Sequence, residues 1–213
     1  MKRLKYLMVV ATVLVCATQA RVYAVPATEN WSALDTNVFA LADNTALPTN
    51  SVLWIGSFSI NNSQIAAFQD NILGALTNFT LFGAGVIGGP GAADGVNGAF
   101  EIQSQNANPA FQNQQIYLLA FNVNPLFNVT NALQWAVVTS TNWLFPPDQL
   151  STRNLDLESL QTIVVGSAGG PISDTTFGTL PLSTKLHMVP EPSAFILVGL
   201  GLAGVFCLRR GRK

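Results

Sequence analysis

The chain has 213 residues, is 49% hydrophobic and only 10% charged, and sets ten Lys and Arg against eleven Asp and Glu. Apart from Arg21, Arg153 and Lys185, every cation lies in residues 1–5 or 209–213, so a near-neutral total hides an acidic body with basic ends. Nucleic-acid binding is excluded, because it needs clustered Lys and Arg to neutralise phosphates.

Residues 1–5 form a basic n-region and residues 6–17 an apolar h-region, the pattern of a secretory signal peptide. Small residues then offer cleavage after Ala20 or after Ala24. Cleavage after Ala24 is favoured, since the earlier cut would leave Arg21 at the start of the mature chain. Cys16 follows Val15 rather than a small residue, which argues against a lipid anchor. Its loss leaves Cys207 alone, so neither an intramolecular disulfide nor a cysteine metal site is expected. A body of about 165 residues suffices for one core without covalent staples.

The body is rich in Asn, Thr, Ser and Gly, with short apolar segments bounded by breakers. Residues 51–60 alternate at Trp54, Gly56, Phe58 and Ile60 and read as a strand. Ile65, Phe68, Ile72, Leu73 and Leu76 recur at helical spacing, which predicts one helix over 63–76 with Ser63 as its cap. Residues 83–98 read as a glycine-rich surface loop. The Lys-Ser/Thr of a phosphate loop is missing, and Asp94 and Asn97 lack the ligand spacing of a calcium loop. Further strands are predicted at 99–104, 115–123, 132–140, 154–157 and 161–165, with 115–123 apolar on both faces and therefore central. The expected fold is mainly β: an antiparallel β-sandwich, jelly-roll-like, with one short helix besides a signal helix and a transmembrane helix. The expected organisation is signal peptide 1–24, sandwich body 25–175, stalk 176–192, transmembrane helix 193–208 and basic tail 209–213.

Chemistry is sparse. The sole histidine, His187, falls in the expected stalk, which argues against a Ser-His-Asp triad and a multi-histidine metal site. No catalytic residue, metal or cofactor is expected. Asp156 and Glu158 would share one face of a strand and Glu101 follows the glycine-rich segment, leaving a carboxylate glycoside hydrolase as the second alternative. A solvated face with Arg153 beside it is the plainer reading. Of the four tryptophans, Trp54 and Trp135 fall within strands and read as core. Trp143, beside Phe145-Pro146 in an expected loop, is the candidate glycan contact for the first alternative, a module that binds exopolysaccharide.

Residues 189–213 are the most informative stretch. Val189-Pro190-Glu191-Pro192 is stiff and extended, because neither proline has an N–H and each biases the residue before it. An uncharged run follows, and Arg209, Arg210, Arg212 and Lys213 stop it. As a helix, residues 194–208 span roughly 22 Å, short of the roughly 30 Å hydrocarbon core. Nine strongly apolar residues favour insertion by about 4 kcal/mol, so this is a marginal anchor with its basic tail on the cytoplasmic side.

This three-part arrangement resembles the PEP-CTERM sorting signal of Gram-negative bacteria. The resemblance implies an exosortase-type processing enzyme as partner, a membrane stage, and a final site at the cell surface or in the extracellular matrix. The expected function is that of an exported protein with a structural or adhesive body.

Overall fold

The computed structural model describes residues 27–33, 37–90, 95–125, 128–148, 151–157, 161–174 and 178–190. The expected signal peptide with its Ala24 site, the helix at 193–208, the basic cluster Arg209, Arg210, Arg212 and Lys213, and Glu191 and Pro192 lie outside the described residues. Among the described residues, no helix is long and apolar enough to cross a membrane.

The fold is mainly β, as expected. In chain order come β1 (Ala27–Ala33), β2 (Asn37–Ala40) and β3 (Val52–Phe58), then two short helices, α1 (Asn62–Ala66) and α2 (Ile72–Leu76). Next are β4 (Phe79–Val86), β5 (Phe100–Asn106), β6 (Gln115–Phe121), β7 (Gln134–Leu144) and β8 (Thr152–Asp156). The last third supplies β9 (Thr162–Val165), β10 (Ser167–Gly169), β11 (Ile172–Asp174), β12 (Gly178–Leu180), β13 (Leu182–Lys185) and β14 (His187–Met188).

The largest sheet runs β14-β7-β6-β3-β4, with β9 sharing the β14 side of β7. β6 is buried on both faces from Ile116 to Phe121, which suits its place between β3 and β7. One face of this sheet (Leu53, Ile55, Leu118, Ala120, Ala136, Val138) packs against Trp31, Phe100 and Leu155 of a three-stranded sheet ordered β5-β1-β8. The other face (Val52, Phe58, Leu119, Phe121, Trp135, Val137) is covered by Ile65, Ile72 and Ala75 of the helices. A strand presents alternate residues to opposite faces, and β3 divides its side chains between the two cores in this way.

Four expectations are corrected. The single helix over 63–76 is two helices. Asn61, not Ser63, caps α1: its Oδ1 accepts from Gln64 N–H at 3.0 Å, and Gln64 Oε1 accepts from Asn61 N–H at 3.1 Å. Asn71 then breaks the run, because its Oδ1 accepts from Gly74 N–H at 2.9 Å and starts a new helix.

The expected glycine-rich loop begins as strand, with β4 reaching Val86. A Cβ on Gly83 would overlap Ser104, and one on Gly85 would overlap Ile102. Glycine here lets β4 and β5 approach closely where the two sheets meet.

The pairing is not wholly antiparallel, since β1–β8 and β2–β13 are parallel.

Within the segment expected as a stalk, residues 178–189 pair with the body. β12 pairs with β11, β13 inserts between β10 and β2, and β14 pairs with β7. Leu180 and Leu186 are buried there, and the buried Ser183 hydroxyl donates to Gly170 O at 2.8 Å. Local hydrogen bonding thus offsets the low apolar content that made the segment read as a stalk.

Candidate functional site

The C-terminal end of the described chain is fastened to the large sheet. His187 pairs with Trp135 and Met188 with Gln134, and Val189 N–H donates to Leu133 O at 2.8 Å. His187 Nε2 lies 2.8 Å from Asp70 Oδ1, in the turn between the helices, so the only histidine in the sequence serves as a clasp on β14. Val189 packs partly buried against the helix-side core, whereas Pro190 is exposed. The pairing of the described chain therefore reaches Val189, the first residue of the expected sorting motif.

The second feature is the outer face of the β5-β1-β8 sheet. Most of its inward residues (Ala27, Trp31, Ala33, Phe100, Leu155) are apolar and buried. Its outward residues are polar, and register arranges them in three rows. Gln105, Thr28 and Thr152 form one row, Gln103, Asn30 and Asn154 the next, and Glu101, Ser32 and Asp156 the third. In the middle row Gln103 Nε2 donates to Asn30 Oδ1 at 2.9 Å, and Asn30 Nδ2 donates to Asn154 Oδ1 at 2.9 Å. The last two rows line a cleft of about 670 Å³, which Pro90 also lines. Glu101 and Asp156 flank Ser32 at its acidic end, their Cα atoms about 9.6 Å apart at two strand spacings. Glu158, the expected neighbour of Asp156, lies outside the described residues.

Directly beneath is a group the sequence did not single out. Glu29 occupies an inward position of β1, fully buried, and neither carboxylate oxygen has a hydrogen-bond partner. Burial raises its pKa to about 7, and the positive charge of Arg153 opposes that rise only in part. Arg153 is in register with Glu29 across the β1–β8 pair, and its Nη1 donates to Asn142 O at 3.2 Å. Only the alternation of Ala27, Glu29, Trp31 and Ala33 signals an inward glutamate, and that becomes legible once the segment is known to be a strand.

Trp143 lies within β7 rather than in a loop. It is half-buried against the main core and, with Trp31, Leu155 and Leu157, lines a small gap of about 10 Å³. Trp135 is core, as expected, and Trp31 joins it. Trp54 is only half-buried: it stacks on Phe79 at 6.2 Å and borders an apolar pocket of about 420 Å³ with Val86, Pro125 and Val129. Asn97 serves the fold, its Oδ1 accepting from Thr49 N–H at 2.9 Å, while Asp94 lies outside the described residues. Among the described residues, no group of three or more His, Cys, Asp or Glu is placed to hold a metal ion.

Neither a curated protein nor a solved structure matches the chain. Residues 189–213 match the PEP-CTERM protein-sorting motif, starting at the valine whose N–H extends the β14 pairing, and this motif marks the chain as an exported protein sorted by an exosortase.

Proposed function

We propose that the chain is a cell-surface or extracellular-matrix protein whose body, a β-sandwich, acts as a structural or adhesive module without catalysis. The bond from Val189 N–H to Leu133 O carries this reading. With β14 paired through Met188, only the proline-stiffened residues 190–192 separate the folded body from the apolar run. While the run is in the bilayer, the body is held against the outer surface of the membrane as one rigid object. An exosortase acting near the prolines would then release or transfer a body that is already folded. This suits display better than a catalyst tethered on a long arm.

A second reading, binding of exopolysaccharide, is favoured by the polar cleft on the β5-β1-β8 sheet. Trp143 gives it less support, being packed against the core.

Fractionation of the native host tests the display reading. In cells with the processing enzyme the body is expected at the surface or in the matrix, and in cells lacking it the body should accumulate in the inner membrane. Cytoplasmic protein in both strains would overturn the proposal.

A further inference from the structure

We propose that the end of the large sheet that carries Val189 is a lipid-contact surface, with Trp54, Leu133 and Met188 set at the headgroups of the bilayer that holds the apolar run. This deepens the display reading and rests on it for the presence of the bilayer.

Register defines that end. One rung crosses the sheet through Val86, Val52, Phe121, Trp135 and His187. Beyond the rung lie the connection between β6 and β7, and Met188 and Val189 beside Gln134 and Leu133. The apolar pocket of about 420 Å³ opens at the same end, since Pro125 and Val129 of that connection line it with Val52, Trp54 and Val86.

The sequence then limits how far this end can stand from lipid. Only residues 190–192 separate Val189 from the uncharged run that begins at Ser193. Even fully extended, they let Ser193 lie at most about 14 Å from Val189. The headgroup layer is itself roughly 5–7 Å deep, so little water fits between. A run shorter than the hydrocarbon core draws its flanks further inward.

The surface has the chemistry for that position. Leu133 is 51% exposed and Met188 61%, two large apolar side chains on either side of the last strand pairing. Trp54 is half-buried, and an indole with one apolar and one polar edge suits the boundary between headgroup and acyl chain. Among the described residues of 47–54, 84–90, 121–135 and 186–190 there is no Asp, Glu, Lys or Arg. Asp70, which reaches this end from the helix turn, is bonded to His187. An otherwise acidic body can therefore approach lipid here without stripping water from an unpaired carboxylate.

Quenching by lipid tests the surface. The full chain with its tail, purified from cells lacking the processing enzyme, is reconstituted into vesicles of phosphatidylethanolamine and phosphatidylglycerol, with or without bromine on the acyl chains. Bromine quenches an indole only at close range. The chain is expected to float with the vesicles and to lose emission when the lipid is brominated. Trp54→Phe is expected to remove most of that loss, and Trp143→Phe to leave it in place. Leu133→Glu with Met188→Glu, with unchanged circular dichroism, retains Trp54 but is expected to cut the loss by about half or more, because carboxylates resist the interface. Flotation without quenching, or quenching that Trp54→Phe or the glutamate pair leaves whole, would overturn this surface and leave the display reading standing. Failure to float would overturn both. Emission that follows the number of chains per vesicle and ignores bromine would make this end a contact between copies and end the proposal.

Discussion

Trp135→Ala is expected to lower the unfolding free energy by about 3–5 kcal/mol, as for removal of a large aromatic from a packed core. Trp135 is fully buried on the helix-side face of the large sheet and stacks on Phe121 at 6.3 Å. Its indole Nε1 donates to Gln69 O at 2.7 Å, tying the turn between the two helices to β7. It is also the register partner of His187, whose ring is bonded to Asp70 in that same turn. Removing the indole opens a cavity, strips Gln69 O of its donor and loosens the neighbours that hold β14. Urea unfolding measures the cost, and amide exchange at Val189 should quicken in the variant. Trp143→Ala, at a half-buried position, is expected to cost clearly less. Equal losses for the two variants would contradict this assignment of the core.

Glu29→Gln is expected to stabilise the protein, and to do so only at pH values where the carboxylate is ionised in the unfolded wild-type chain. The folded pKa, about 7, lies above the ordinary 4.5, so the folded state binds the proton more tightly than the unfolded chain does. The penalty is absent below about pH 4.5, grows as pH rises towards 7, and is constant above that. The gap between the two values sets an upper limit of about 3 kcal/mol. Arg153 is the charge in register with Glu29, and its attraction lowers the pKa less than burial raises it. Glutamine keeps the shape and stays neutral, so the gain over wild type should appear between about pH 4.5 and 7 and then level off. Thermal unfolding of both proteins across that range checks it. A difference independent of pH would show that Glu29 is not held in a desolvated site.

The strands legible in the sequence are those whose side chains report burial directly. Trp54, Gly56 and Phe58 alternate along β3, and the unbroken apolar run of β6 fits a strand covered on both sides. β1, β2 and β13 escaped because their pairings are remote: β1 joins β8 across more than a hundred residues, and β2 joins β13 from the opposite end of the chain. Their Ser, Thr and Asn content resembles loop composition, and the fold satisfies those groups internally, as with Gln161 Nε2 donating to Thr184 Oγ1 at 2.7 Å. β4 escaped for the opposite reason. Its glycines signal turns locally, yet here they make room for Ser104 and Ile102 of a neighbouring strand.

The two ends of the function were unequally visible for the same reason. The sorting motif is local, so residues 189–213 showed it outright. The cleft is assembled from three strands whose mutual register no local pattern reveals. Glu101 and Asp156 were both noticed, but only the fold sets them on either side of Ser32.

The central claim is that a folded β body runs straight into a processed sorting tail. Intact-mass measurement of the mature protein from its native host tests it most directly. The expected mass lacks residues 1–24 and places the new C-terminus between Pro190 and Pro192, just beyond the hydrogen bond that Val189 N–H donates to Leu133 O. A steady-state species that still ends in Lys213, or one cut upstream of β14, would contradict it.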